Sequence, residues 1–464
     1  MNAADAIYPL TPLQLSMLAY GLREQDPNAY QVVAELTISG DERMLERLQS
    51  RWAKLVAACP ALRTNVVWED LDEPLQVVLP SVSDRWQPLL DVRDGGEPPW
   101  HTTPIPLSAE RLWRWQAARR TDDRLSLRFQ FHHIILDGWS MSLLIDALLA
   151  TDEGPLQKLR LAPPFEVVVE RLQDPMSAAT SAFWRDYLEG VEPVELPVAR
   201  ASSPATVKRL PFALHPSILN GLSTLATALR TTLSTLVHSA WALALMELSG
   251  NRRVSFGITG SGRSRHRPPL SAVIGPCIET VPLAPPAWDG ERRLKDWLGV
   301  FAKGQTEALA HGGYSLTQLG EQADEPMPPG WLSTLVVAHG FTAQLGLETD
   351  ASVFETLSVT EHSDLPLAVL WVQDDRGLHG SLLLRQDRVE QTTAERLRTW
   401  FEQALTQLAA ATPYTRLGAL DLLSPREHEH LDALEEASVD VDASLIADRV
   451  HGHCLRSPAH LALV

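Results

Sequence analysis

The stretch Leu125-Ser126-Leu127-Arg128-Phe129-Gln130-Phe131-His132-His133-Ile134-Ile135-Leu136-Asp137-Gly138-Trp139-Ser140 decides how this chain is read. Its first half alternates apolar and polar residues, as a strand with one buried face must. Continued through the histidines, the alternation gives His133 the apolar parity and His132 the parity of Arg128 and Gln130. His133 is therefore expected to point inward, where an imidazole must be satisfied or used. Asp137-Gly138 breaks the strand, and residues 139–149 read as a helix with Ser140 as its cap and Leu143, Leu144, Ala147 and Leu148 on one stripe. A base thus sits where a strand ends and a helix begins. Helix starts present free N–H groups and partial positive charge, which suit a carbonyl oxygen that turns anionic during reaction.

Working outward, Thr11-Pro12-Leu13-Gln14 has the form of a capping box that opens a helix running to about Arg23. A strand over 31–38, a helix over 42–59 and strands near Val66 and over 76–79 follow. This alternation of element types predicts an α/β layered domain. Proline-bounded polar stretches at 162–165 and 196–204 flank a helix over 177–190 that reads as a connector. The second half repeats the style without repeating the sequence: one long helix over 216–249, a strand over 253–258, a glycine-rich loop over 259–263 and a helix over 392–411. Residues 424–444 are acidic and poor in large apolar groups, as in a linker, and 450–464 turn apolar again. The expected division is an N-terminal lobe over 1–172, a C-terminal lobe over 173–423 and a linker over 424–464.

Composition narrows the function. At 464 residues the chain exceeds one ordinary core. A net charge of −18 argues against a general nucleic-acid binder, and the one basic cluster is Arg263-Ser264-Arg265-His266-Arg267. Three scattered cysteines, Cys59, Cys277 and Cys454, predict no disulfide framework and a reducing cytoplasm. No apolar run reaches the ~18 residues of a spanning helix, and the start lacks the build of a signal peptide, so no membrane role is expected. His451, His453 and Cys454 lack a second ligand pair, and no metal site is expected.

Taken together, these segments resemble the condensation domain of non-ribosomal peptide synthetases over nearly the whole chain. Besides the histidine motif, the resemblance is carried by Tyr8-Pro9-Leu10-Thr11-Pro12-Leu13-Gln14, Leu62-Arg63-Thr64, Trp68-Glu69 leading to Glu73-Pro74-Leu75-Gln76-Val77-Val78, and Phe183-Trp184-Arg185-Asp186-Tyr187-Leu188. Phe256-Gly257 with Ser261-Gly262-Arg263, and Ile274-Gly275-Pro276-Cys277-Ile278-Glu279-Thr280-Val281-Pro282-Leu283, complete it in order. The closing Pro458-Ala459-His460-Leu461-Ala462-Leu463-Val464 resembles the start of an adenylation domain.

The resemblance implies an α/β fold of two chloramphenicol acetyltransferase-like lobes, a V-shaped pseudo-dimer with a central tunnel. It implies that His133 is catalytic, that His132 is structural, and that Asp137 pairs with Arg263, with Gly138 beside them. Trp139, Ser140, Ser261, Gly262, Glu279 and Thr280 are the candidates for tunnel or substrate contacts; packing is the blander role for Trp139 and capping for Ser140.

The implied reaction joins a donor acyl or peptidyl thioester to the amine of an aminoacyl thioester on an acceptor carrier. No cofactor is bound by the chain itself. Phosphopantetheine arms come from donor and acceptor carrier proteins, or the donor comes as an acyl coenzyme A, with an adenylation domain adjoining and the isolated piece monomeric. The short leader before Tyr8 and the stretch over 68–78 point to a donor supplied in trans, a starter acyl group or a D-configured residue. Two departures stand out: the family usually has histidine where Cys59 stands and asparagine where Glu279 stands. An acid there could bind an amine or mark drift, and the sequence leaves both open. The rivals are a non-catalytic recruitment module, against which the intact histidine motif argues, and an epimerisation-type relative, for which no second acid or base segment is found. A heterocyclisation relative would carry aspartates in place of the histidines.

Overall fold

The computed structural model describes residues 4–24, 27–92, 96–121, 123–172, 174–197, 206–263, 270–323, 327, 331–338, 354–361, 365–374, 377–436 and 446–456. The chain divides into two compact units, Met1–Leu422 and Leu423–Val464. The first unit opens with β1 (Ala6–Pro9), α1 (Pro12–Glu24), β2 (Gln31–Ser39), α2 (Glu42–Ala58), β3 (Thr64–Val67) and β4 (Leu75–Val78). It continues with β5 (Leu90–Asp91), β6 (Trp113–Thr121), β7 (Arg124–His132), α3 (Gly138–Leu149), α4 (Gly154–Arg160), α5 (Glu166–Leu172) and α6 (Ala178–Leu188). Then come β8 (Val207–Ala213), α7 (Pro216–Leu229), α8 (Leu233–Ser249), β9 (Phe256–Gly260), β10 (Glu279–Leu283), α9 (Leu294–Ala310) and α10 (Leu316–Gly320). β11 (Thr334–Ala338), β12 (Phe354–Glu361), β13 (Leu367–Asp374), β14 (Gly377–Arg385) and α11 (Gln391–Ala410) complete it. The second unit holds α12 (Pro425–Glu436) and α13 (Ile446–Arg456).

The strands form three sheets, in the orders β12-β2-β7-β6-β5, β1-β4-β3 and β10-β9-β11-β13-β14-β8. The first is the site's platform. Helix α2 lays Leu45, Leu48, Trp52, Leu55 and Val56 on it, an apolar stripe at helical spacing. The Trp52 ring meets Trp113, Trp115 and Phe129 edge-on at 5.0, 5.4 and 5.3 Å. Emptying a closed core of a ring this size costs about 3–5 kcal/mol, so this aromatic knot fixes β6 and β7 and, with β7, the position of the histidines. One strand of the sheet is borrowed: β12, from late in the chain, pairs antiparallel with β2 from Phe354↔Ile38 to Glu361↔Val32. The platform is therefore built by both halves of the sequence.

Several sequence expectations need correcting. The long helix over 216–249 is broken: Arg230 turns left-handed at φ 52°, and Thr232 caps a new helix by accepting from the Thr235 amide at 3.1 Å. Local capping by a threonine hydroxyl outweighs the helical propensity of the residues on either side. The strand expected over 253–258 lies at Phe256–Gly260, shifted into the glycine-rich loop. The acidic segment from 424, read as a linker, carries α12, because Ser424 and Glu427 cap each other: Glu427 N donates to Ser424 Oγ at 3.3 Å and Ser424 N to Glu427 Oε2 at 2.8 Å. Of the apolar tail, residues up to Arg456 are in α13, and 457–464 lie outside the described residues. No helix among the described residues is long and apolar enough to cross a membrane.

Candidate active site

The site grows from the end of β7. Strand pairing ends at His132, and both imidazoles are enclosed, His132 at 5% and His133 at 4% exposure. The alternation read from sequence holds for direction but not for solvent, because the polar face of β7 is also covered. Gln130 Nε2 donates to Gln31 Oε1 at 3.2 Å, and Gln31 in turn exchanges bonds with the backbone of Ile105 at 3.0 and 3.1 Å. His132 faces this side, its ring 6.5 Å from that of Tyr30. Its Nδ1 accepts from the Ile134 amide at 3.1 Å, so Nε2 carries the proton of the neutral ring. His133, on the other side, lines a cavity of about 430 Å³. Its backbone N–H donates to the Tyr30 carbonyl at 2.8 Å, from a Tyr30 held at φ 57°.

The turn after the histidines is gripped by two devices. The first is the capping box at the head of α1. Gln14 Oε1 accepts from the Thr11 amide at 2.9 Å, while its Nε2 donates to the Ile134 carbonyl and to Gln76 Oε1, both at 2.8 Å. The cap is legible in sequence. The second task of the same glutamine is not, because nothing in the spacing of residues 14, 76 and 134 says that they meet.

The second device is Asp137, fully buried and the true cap of α3. Its Oδ1 accepts from the Ser140 amide at 2.8 Å, so the capping role expected of Ser140 belongs to Asp137. Arg263 donates Nη1 to Asp137 Oδ2 at 2.7 Å and Nη2 to Oδ1 at 3.0 Å, a bidentate pair at 3% and 0% side-chain exposure. Oδ2 also takes the amides of Cys277 and Ile278, at 2.9 and 3.1 Å. Burial alone would raise this carboxyl's pKa; the Arg263 guanidinium, with the Ser140 amide and hydroxyl, overcomes it and holds it below the usual range. Ser140 is a hub, with its Oγ bonded to Gly275 O at 2.9 Å and to Arg263 Nη2 at 3.0 Å, and it does not line the cavity. Gly275 is required where this strap crosses: its φ is 154°, and a Cβ there would fall 2.3 Å from the Phe165 ring.

Of the remaining candidates, Gly138, Trp139, Ser261, Gly262, Glu279 and Thr280 all line the cavity together with His133. Trp139 Nε1 donates to Ser271 O at 2.8 Å, so this side chain is both wall and strut. The basic residues after Arg263 lie outside the described residues. Cys59 is buried in the core beneath α2, and burial pushes its thiol up to about 12. Cys277 does line the cavity, but burial likewise pushes its thiol up to about 12 against the pull of Arg263, so it stays protonated. All three cysteines are free thiols. No group of three or more metal-ligating side chains occurs among the described residues.

Burial of neutral imidazoles has a consequence for acid stability. Burial, with His133 adding to it, pushes His132 down to about 3; burial pushes His238, on α8 against Gln305, down to about 4. The unfolded chain takes up these protons near pH 6.5 and the folded one does not. Stability is therefore full above about 6.5 and falls as pH drops toward 4, by about 1 kcal/mol per pH unit for each such histidine. Denaturant midpoints are expected to fall between pH 7 and 5, with a shallower fall in His238→Gln; equal midpoints at the two pH values would refute this.

Known proteins match this arrangement. A family model, Condensation domain, matches residues 4–432. Chondramide synthase cmdD of Chondromyces crocatus is 30% identical over 347 residues, covering 70% of this chain and 9% of that protein. One of the linear gramicidin synthase proteins of Brevibacillus parabrevis is 28% identical over 461 residues, covering 93% of this chain and 6% of that protein. The chain thus spans less than a tenth of the length of either relative. Among solved structures, the first condensation domain of the calcium-dependent antibiotic synthetase, in complex with a substrate analogue, superposes with a TM-score of 0.71 at 18% identity over 91% of this chain and all of that one. That likeness bears out the chloramphenicol acetyltransferase-like α/β fold that the resemblance implied. With the family model matching nearly end to end, and with His133 on the cavity wall behind which the buried Asp137–Arg263 pair braces the turn, this chain belongs to the condensation-domain family.

Proposed function

We propose that the chain forms an amide bond between a donor acyl or peptidyl thioester and the amine of an aminoacyl thioester, releasing the donor's thiol. The observation that carries this reading is one cavity shared by His133 and Trp139 from the first half of the chain and Ser261 and Thr280 from the second. At about 430 Å³ it is large enough to hold two short reacting groups in alignment.

In this reading His133 acts on the proton of the nucleophile. An α-amino group with a reference pKa of about 8 is partly neutral at cellular pH, so attack on the thioester carbonyl needs positioning more than a strong base. The adduct then carries a cationic nitrogen, from which His133 takes a proton and which it passes to the leaving sulfur. Asp137 and Arg263 hold the turn and strap around the cavity, and His132, neutral, ties the turn from the other side by accepting from the Ile134 amide. Helix α3 starts at Gly138 on the cavity wall, and its first amides favour negative charge on the carbonyl oxygen.

Both thioesters would ride on phosphopantetheine arms of carrier proteins, with no cofactor held by this chain. The donor is a starter acyl or D-configured group supplied in trans, and an adenylation domain adjoins the C-terminal segment. Free thiols at Cys59, Cys277 and Cys454 suit a reducing cytoplasm.

Incubating the protein with a loaded acceptor carrier and, in separate reactions, an acyl coenzyme A, an L-loaded and a D-loaded donor carrier tests the reading. Mass spectrometry of the acceptor should reveal amide with at least one donor, most with the acyl coenzyme A or D-loaded donor. Absence of amide with all three would leave a recruitment role.

A further inference from the structure

One end of the cavity is an apolar recess, built where α1 packs on the platform sheet. Strands β2 and β7 pair Val32 with Phe131 and Gln31 with His132, so Tyr30 stands opposite His133 on the face that Val32 and Phe131 share. From α1, Leu13 and Met17 lie four residues apart, on one face of the helix, and pack in the same apolar cluster as Val32 and Phe131. All six residues line the cavity, and only the His133 imidazole and the Tyr30 hydroxyl are polar among them. Met17, Val32 and Phe131 are nonetheless almost wholly buried, so this end is enclosed. The next pair on that face, Ala34 and Phe129, is fully buried, and the Phe129 ring stacks on Trp115 at 4.6 Å, so the recess stops there.

Resting on the amide-forming reading, we propose that this recess selects an unbranched aliphatic chain on one of the two substrates, with Met17 and Val32 setting its length. Residues two apart on a strand are separated by about 7 Å. The recess at Phe131 therefore begins a few bonds from the reacting centre at His133 and receives a tail, not the reacting group itself. A charged or strongly hydrated tail loses its water there without regaining hydrogen bonds, whereas each methylene gains by leaving water. The floor of the recess, a β-branched valine beside a ring, is stiff. Its cover of Leu13 and Met17 is pliant, and methionine adapts to the gap left to it. A flexible chain suits that shape better than a further ring does. The chain is carried by either the donor acyl group or the side chain of the acceptor aminoacyl group, and the experiment distinguishes them.

Acetyl, butyryl, hexanoyl and octanoyl pantetheine are compared as donors with a glycyl pantetheine acceptor. Alanyl, norvalyl and norleucyl pantetheine are then compared as acceptors with an acetyl donor, and amide is quantified by mass spectrometry. In one arm kcat/KM is expected to climb by about fourfold per added methylene, the scale of burying one such group, until the recess is full. Met17→Ala lengthens the recess and should move the optimum to longer chains; Val32→Phe shortens it and should move the optimum to shorter ones. The arm in which the optimum moves names the substrate that carries the chain. Preference is read as a ratio between chain lengths within each protein, so a general loss of activity or stability, which depresses every substrate alike, does not produce these opposed shifts. Wild-type rates independent of length in both arms, or an optimum that stays in place in both variants, overturn the inference. If the wild type makes no amide from any of these pairs, it is the amide-forming reading that has failed instead.

Discussion

His133→Ala is expected to slow amide formation by about 10²–10⁴-fold, the range over which a positioned acid–base group contributes. The measurement is single-turnover appearance of amide on the acceptor carrier, at saturating donor. Little in the surroundings can substitute. His132 faces away from the cavity and is held neutral by burial, and the Cys277 thiol is kept protonated, so no covalent detour through sulfur is open. Because His133 sits at the end of β7 and its backbone anchor to Tyr30 survives truncation, the folded state should persist, and the unfolding midpoint of the variant serves as a control. A variant that retains the wild-type rate would remove His133 from the mechanism.

The second large effect is expected at the buried ion pair. Arg263→Ala leaves the Asp137 carboxylate with no counter-charge at 0% exposure, and breaking such a pair from one side costs about 3–5 kcal/mol. The loss is compounded because the same guanidinium donates to the Val273 and Gly275 carbonyls at 3.3 and 3.1 Å, which hold the strap leading to the cavity wall. Urea denaturation should reveal the deficit, and turnover should fall with it. Replacing both partners, Asp137→Leu with Arg263→Leu, removes the charge altogether and is expected to recover part of the stability without recovering turnover. Were Arg263→Ala as stable as the wild type, the pair would not be structural at all.

How much of this is legible in the sequence depends on whether the signal is local. The strand into the histidines, the capping box at Thr11 and Gln14 and the helix α2 each follow from neighbours within a turn or a few residues, and each stands where expected. The bidentate meeting of Asp137 with Arg263 joins residues 126 apart, and only family likeness points to it. Ser140 misleads because a serine near a helix start is usually its cap; here the aspartate before it takes that bond, leaving the hydroxyl to hold Gly275. Nor can periodicity reveal that the polar face of β7 is covered, since that depends on the chain around Ile105 folding over it. Glu279 stands out in sequence as an oddity, but that it is the one acidic side chain among the described residues of the wall emerges only when the lining is assembled.

The strand lent by β12 to β2 also bears on birth of the protein at the ribosome. The nascent chain completes Gln31–Ser39 early and must wait for Phe354–Glu361, most of the polypeptide later, before that edge finds its partner. At usual translation speeds the interval is on the order of tens of seconds, during which an open row of amides and carbonyls invites mispairing with any neighbouring chain. Cutting the gene between the halves would make that waiting permanent, so expression of the front piece alone should yield aggregates rather than a working half.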